Sequence, residues 1–348
     1  MSPVKIKSSL CDMLGIDYPI IQAGMGPFNT SKLAAAVSNA GGLGTVSIPG
    51  DQDPVGDPKT LVGYLHQVKK DTGRNFAVNT PIASERTSPK LVLETHDAMI
   101  KAVCEAKAKD SELRKRLVLF ITSGGNPTNH HKMIKDAGFL HFHVCGSVRH
   151  ALLCERLGLD GVIASGYEMG GHTHLADRAI HTFILVPSIA QAITKPVVAS
   201  GGICDARTFV AALAMGAAGV QMGTRFITTK ECDFHENYKK FIVDAGEYSD
   251  IVFPSFIAPA RGLKSPAVYK LIEAQQKVER GELDPTVKAK MLEEILRKGE
   301  QEGDMVEGAV AAGQVSSRIN SIVTAKEVID TIIEGSGKVI QELQQKIM

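Results

Sequence analysis

The densest chemistry in the chain lies in Ser165-Gly166-Tyr167-Glu168-Met169-Gly170-Gly171-His172-Thr173-His174. Two glycines before a histidine let an imidazole on a loop approach a substrate closely, and an imidazole titrating near neutrality suits general acid/base work. Loop histidines are commonly inert. His172 is singled out because it follows directly on the strand-like run Gly161 to Ala164, and it is the candidate catalytic residue. His172, His174 and His181 raise the question of a metal, but no carboxylate or cysteine completes a tetrahedral set at suitable spacing, so none is expected.

A second group of residues suits a phosphate-bearing ligand. Val197-Val198-Ala199-Ser200-Gly201-Gly202-Ile203 and Val220-Gln221-Met222-Gly223-Thr224-Arg225 each end an apolar run in glycine, which exposes main-chain N–H groups to an anion. Taken singly, each is also what a tight turn looks like. Gln22-Ala23-Gly24-Met25-Gly26 would let a flat ligand lie against main chain. Asn79 offers an amide for a heterocycle edge or a hydroxyl chain, or is simply a turn residue.

Eight strand-like runs must position these groups: Pro19 to Gln22, Leu43 to Ser47, Phe76 to Asn79, Leu117 to Thr122, Leu140 to Val144, Gly161 to Ala164, Val197 to Ser200 and Gly219 to Met222. Helical patterns separate them. Ser147 caps one that Gly158 closes, and Asp205 caps another ending at Met215. Eight βα units predict a parallel (β/α)8 TIM barrel of the α/β class, with the glycine-rich strand ends on its C-terminal face. The expected division is a barrel over 1–230, a helical substrate or lid subdomain over 231–310 without strand-like alternation, and a C-terminal segment over 311–348. In the last, Val328, Ile329, Ile332, Ile333, Val339 and Ile340 face the barrel. His143 of the pair His141-x-His143 is expected to point into the barrel, and His130-His131 to face solvent.

Composition limits the partners. With 348 residues, a formal charge of +1, 44% apolar and 5% aromatic residues and no Trp, there is ample core and no electrostatic case for nucleic acid or an acidic membrane. No stretch approaches the ~20 apolar residues of a membrane span, and the N-terminus MSPVKIKSSLCDML has no apolar leader core. The six cysteines include no CxxC pair and read as reduced core thiols, so a cytoplasmic location is expected.

The residues also carry a resemblance. Tyr18-Pro19-Ile20-Ile21-Gln22, Ala35 through Gly44 (AAVSNAGGLG), Gly170-Gly171-His172, Ser200-Gly201-Gly202-Ile203, Gln221 through Phe226 and Ala312-Gly313-Gln314 together resemble the nitronate monooxygenase (2-nitropropane dioxygenase-like) family of FMN-dependent barrels. That family pattern also includes FMN-dependent enoyl-acyl-carrier-protein reductases and NADH:quinone reductases. The resemblance implies FMN, with its phosphate at Gly201, Gly202, Gly223 and Thr224 and its ring along Ala23, Gly24, Met25 and Gly26. Asn79, Ser165, Gly170, Gly171, Gln221 and Met222 would complete the cradle, and His172 would be catalytic.

The activity it implies is oxidative denitrification of alkyl nitronates with O2; the alternative is NAD(P)H-driven reduction of an enoyl thioester or quinone. Partners would be a small-molecule substrate and, at most, a second copy in a homodimer. Two departures stand out: Ser165 replaces a common Gln, and His174 replaces a usual Gly, which would put a second imidazole near the substrate mouth.

Overall fold

A computed structural model describes residues 6, 8–26, 29–48, 57–83, 90–174, 179–255 and 258–347. Residues 1–5 and 7 of the N-terminal stretch read for a leader lie outside them. Twelve strands are present among the described residues: β1 (Ile20–Gln22), β2 (Gly44–Val46), β3 (Phe76–Ile82), β4 (Leu117–Gly124), β5 (Leu140–Cys145), β6 (Gly161–Ser165), β7 (Gly171–His172), β8 (Val197–Ser200), β9 (Gly219–Met222), β10 (Asp250–Phe253), β11 (Ala260–Leu263) and β12 (Val310–Ala311). All but β7, β10, β11 and β12 form one parallel sheet in the order β1-β9-β8-β6-β5-β4-β3-β2.

The sheet curls until β1 meets β2. A single parallel bridge, Ile21 to Leu43, joins them. The Gln22 side chain supplies what the ladder lacks: its Oε1 accepts from Thr45 N at 2.9 Å and its Nε2 donates to Thr45 O at 3.0 Å. The fold is the expected TIM barrel, with β8 and β9 as seventh and eighth barrel strands.

Period-two alternation sorts the strand residues between two cores. Ile21, Ala77, Ile121, Phe142, Ile163 and Val198 fill the barrel interior together with Leu10 and Leu14. Those two leucines come from the helix Ser9–Leu14, capped by Ser8 and closed by Gly15 in the left-handed region (φ 64°). Because a Cβ on Gly219, the first residue of β9, would lie 2.5 Å from Leu10, this helix plugs the N-terminal end of the barrel. The C-terminal end is left for a site.

The caps at Ser147 and Asp205 and the left-handed closure at Gly158 (φ 88°) form as the sequence predicts. The last helix, Ala325–Ile347, packs on Ala206–Ala214, with Val328, Ile329, Ile332, Ile333 and Val339 buried. Ile340 does not join them and is 40% exposed.

Beyond residue 231 the helices Pro266–Glu279 and Pro285–Arg297 are present as expected, but the strands among them were not anticipated. β11 is the centre of a small antiparallel sheet: it pairs with β10, with β12 and with β7 of the His172 loop. Two to four residues per strand, with glycine inside β11, are too short a run for alternation to register in sequence. Phe253, Val268, Leu271, Leu292, Ile295 and Ala309 give this region its own apolar core.

Two expectations about histidines are corrected. His143 does not enter the barrel; Phe142 does, and alternation turns His141, His143 and Cys145 toward the surrounding helices. His130 and His131 are also engaged: His130 Nε2 lies 2.7 Å from Asp97, and the His131 ring stacks on His141 at 5.2 Å.

Candidate active site

The interior residues of the barrel strands are buried, and exposure returns at their C-terminal ends: Ala23 to Gly26, Asn79, Gly170 to His172, Gly201, Gly202 and Gly223 all have accessible surface. Contacts join these residues into a ring. A Cβ on Gly24 would sit 2.5 Å from Asn79 Oδ1, so only glycine fits there, and Asn79 Nδ2 is held by Ile121 O at 3.2 Å. A Cβ on Gly223 would lie 3.6 Å from Ala23 Cβ and 3.9 Å from Met25 Sδ.

Thr224 Oγ1 accepts from Gly313 N at 3.0 Å. Gly313 and Ala312 lie directly against Gly170, where a side chain would collide with their backbone. Gln314 N donates to Glu168 O at 3.0 Å, and a Cβ on Gly202 would lie 3.6 Å from the Glu168 stem. The ends of barrel strands one, three, six, seven and eight thus surround one cleft.

Two of the predicted cofactor residues have side chains engaged within the protein. Met222 packs its side chain into the outer core beside Val220, and its carbonyl accepts from Ala23 N at 2.9 Å; only Gln221 of that pair turns inward. Ser165 is buried and its hydroxyl donates to Met169 sulfur.

His172 stands on the cleft wall. It is exposed, yet surrounded by enough protein that burial holds its pKa below the ordinary imidazole value of 6.5. Strand pairing fixes its backbone, since His172 faces Ala260 and Gly171 faces Arg261 across β7 and β11. Its Nε2 lies 3.4 Å from Ser255 Oγ. His174 does not join it. Its Nε2–H donates to Ser165 O at 3.1 Å, which fixes the tautomer, and the ring lies flush against Gly146. The second imidazole is therefore a loop anchor rather than a group at the mouth.

Sequence reasoning missed the residues that hold the loop. The Glu168 carboxylate accepts from Thr182 N at 3.0 Å and Thr182 Oγ1 at 2.9 Å, and that hydroxyl also reaches Gly201 O at 3.0 Å. Arg261 pairs with Asp250, covers the Tyr167 ring at 4.5 Å and donates to Tyr167 O at 3.2 Å. Tyr238, fully buried, bonds both main-chain groups of Ala311 and so fixes the approach to Ala312-Gly313-Gln314. Glu168 lay in plain view in the Ser165 to His174 stretch, two residues before Gly170; Arg261 had no local signal, because its role depends on β11 reaching β7.

The cleft fits a flat, phosphate-bearing group. Gly201 and Gly202 are both left-handed (φ 95° and 74°), a conformation side chains rarely adopt, and they sit beside Gly223 and Thr224, which retains its hydroxyl proton for donation. A glycine-lined strand-seven and strand-eight corner on a TIM barrel, with an imidazole across the cleft, defines an α/β-barrel oxidoreductase of the flavin-dependent kind. The sequence model of the nitronate monooxygenase family matches residues 7–335, and the chain belongs to that family, which is FMN-dependent.

A probable nitronate monooxygenase of Staphylococcus aureus strain MSSA476 is 29% identical, over 96% of this chain and 99% of its own. FabK from Thermotoga maritima is 32% identical with a TM-score of 0.84, covering 98% of this chain and 99% of that one. Nitroalkane oxidase from Streptomyces ansochromogenes, at 22% identity and TM-score 0.77 over 96% of this chain and all of that one, shares the fold. No helix among the described residues is long and apolar enough to cross a membrane.

Proposed function

We propose that the chain binds FMN in this cleft and oxidises alkyl nitronates, or the nitroalkanes that give rise to them, with O2. The observation that supports this reading is His172 itself: an imidazole on the cleft wall, kept neutral by burial and fixed by strand pairing. Main-chain amides at Gly201, Gly202, Gly223 and Thr224 would hold the phosphate, and the glycines of 23–26 would let the ring lie against β1. Bound FMN would supply the electron acceptor.

The rest is this chain's work. A neutral imidazole accepts a proton, so His172 would take the α-proton of a nitroalkane and then, as imidazolium, stay beside the anion it has made. Ser255, by donating to Nε2 or accepting from it, selects which ring nitrogen is free to act. The loop contacts through Glu168, Gly170 and Arg261 hold the imidazole in register with the cleft.

A second reading, NAD(P)H-dependent reduction of an enoyl thioester or quinone, is favoured by the likeness to FabK along nearly the whole chain and by Ser165 at a position where monooxygenases commonly have Gln. There His172 would donate to the acceptor carbonyl. The two are separated by adding propyl nitronate, NADH or NADPH without oxygen and following flavin absorbance. A response to nitronate with none to nicotinamide is expected; bleaching by NADH or NADPH with no response to nitronate overturns the proposal in favour of the reductase.

A further inference from the structure

Outside the cleft, three ligand-type side chains converge with no role in the chemistry above. Cys145 ends β5, while His150 and Cys154 lie four residues apart on one face of the helix Val148–Leu157 packed against it. One ligand atom from each lies within 4.8 Å of the other two. We propose that Cys145, His150 and Cys154 form a site for a soft, thiophilic metal ion of the zinc or copper(I) type, separate from the flavin cleft.

The geometry is close to what such an ion requires. The two sulfurs are 3.7 Å apart. Two thiolates on a tetrahedral zinc at ~2.3 Å are separated by about 3.8 Å, whereas a disulfide needs ~2.05 Å. No carboxylate joins the three, so the donor set is purely sulfur and nitrogen, which selects against magnesium and calcium.

Charge favours the same assignment. Both cysteines are fully buried, and two thiolates in that position are unfavourable alone but neutral with a divalent ion between them. His150 is only half-buried and gives an ion a route in. Behind it lies His143, ring to ring at 4.7 Å, fully buried and with no partner for its Nε2. Spacing alone had given no hint, because the first ligand belongs to a strand and the other two to the following helix.

The test is one equivalent of Zn2+ added to reduced, flavin-loaded protein, read by chelator competition and zinc-edge X-ray absorption. One zinc per chain with two sulfur neighbours at ~2.3 Å and nitrogen at ~2.0 Å is expected. Cys145→Ser and Cys154→Ser should each weaken binding by on the order of 100-fold while leaving flavin content and turnover unchanged. A shell of oxygen and nitrogen alone, or affinity unchanged in both variants, overturns the proposal. So does quantitative oxidation to a Cys145–Cys154 disulfide in protein that takes up no zinc, which would make the pair a redox dithiol. The absorption spectrum is taken on unsubstituted protein, so a variant that fails to fold does not decide the outcome.

Discussion

His141-x-His143 and His172-x-His174 have the same spacing. On β5 a spacing of two puts both rings on one face, against Thr122, whose hydroxyl lies 2.8 Å from His141 Nε2 and 2.7 Å from His143 Nδ1. Having one proton, that hydroxyl can donate to only one of these rings and must accept from any other ring it bonds. Both are fully buried. Burial pulls His141 down to about 3 and His143 well below its ordinary value, which leaves them as neutral structural groups.

Around β7 the same spacing separates the rings. Strand pairing stops at His172, Thr173 N is held by Pro259 O at 2.7 Å, and the chain turns His174 back to Ser165. His172 alone keeps open surface, with its pKa lowered by burial but not fixed in a bonded pair. A motif of two histidines therefore says little until the register and length of its strand are known.

The contrast predicts unequal losses. His172→Ala should lower kcat/KM by ~10²- to 10⁴-fold with flavin content retained, read by steady-state kinetics and absorbance, whereas His143→Ala should leave turnover per flavin nearly unchanged. Gly170→Ala drives a methyl into the backbone of Ala312 and Gly313 and should shift the His172 loop. A displacement of ~1 Å costs up to roughly 10²-fold in kcat/KM, again with flavin bound.

On the structural side, Thr122→Val leaves two buried ring nitrogens unpaired and should cost about 1–3 kcal/mol in urea unfolding, with kcat unaltered. Acid should act on the same pair. Their folded pKa values lie below the ordinary 6.5, so the unfolded chain binds more protons as pH falls. Their contribution is complete above 6.5 and is lost progressively below it, for His141 down to about 3. By roughly pH 5 the loss is about 2 kcal/mol for His141, with His143 acting in the same direction, measured as the urea midpoint against pH.

The barrel was legible because its strands are continuous apolar runs between capped helices, and all eight were located to within a few residues. The glycines at 24, 170, 201, 202 and 223 were legible for a related reason: glycine at a strand end has few other uses. Side-chain direction was harder. His143 was assigned to the wrong face, since a fully buried strand has no polar alternation to mark which side is which. The small sheet at β10, β11 and β12 and the hold of Arg261 on Tyr167 were not legible at all, because those strands are only two to four residues long and Arg261 reaches a carbonyl 94 residues away.

The most direct test of the central claim is the pH dependence of kcat/KM for whichever substrate turns over, compared between the unsubstituted protein and His172→Gln. A neutral imidazole acting as base predicts a rate that rises through one ionisation below pH 6.5 and stays level above it, with that ionisation missing from the variant. An ionisation that survives unchanged in His172→Gln, or that lies above 6.5, would contradict the assignment of His172 as the reacting group.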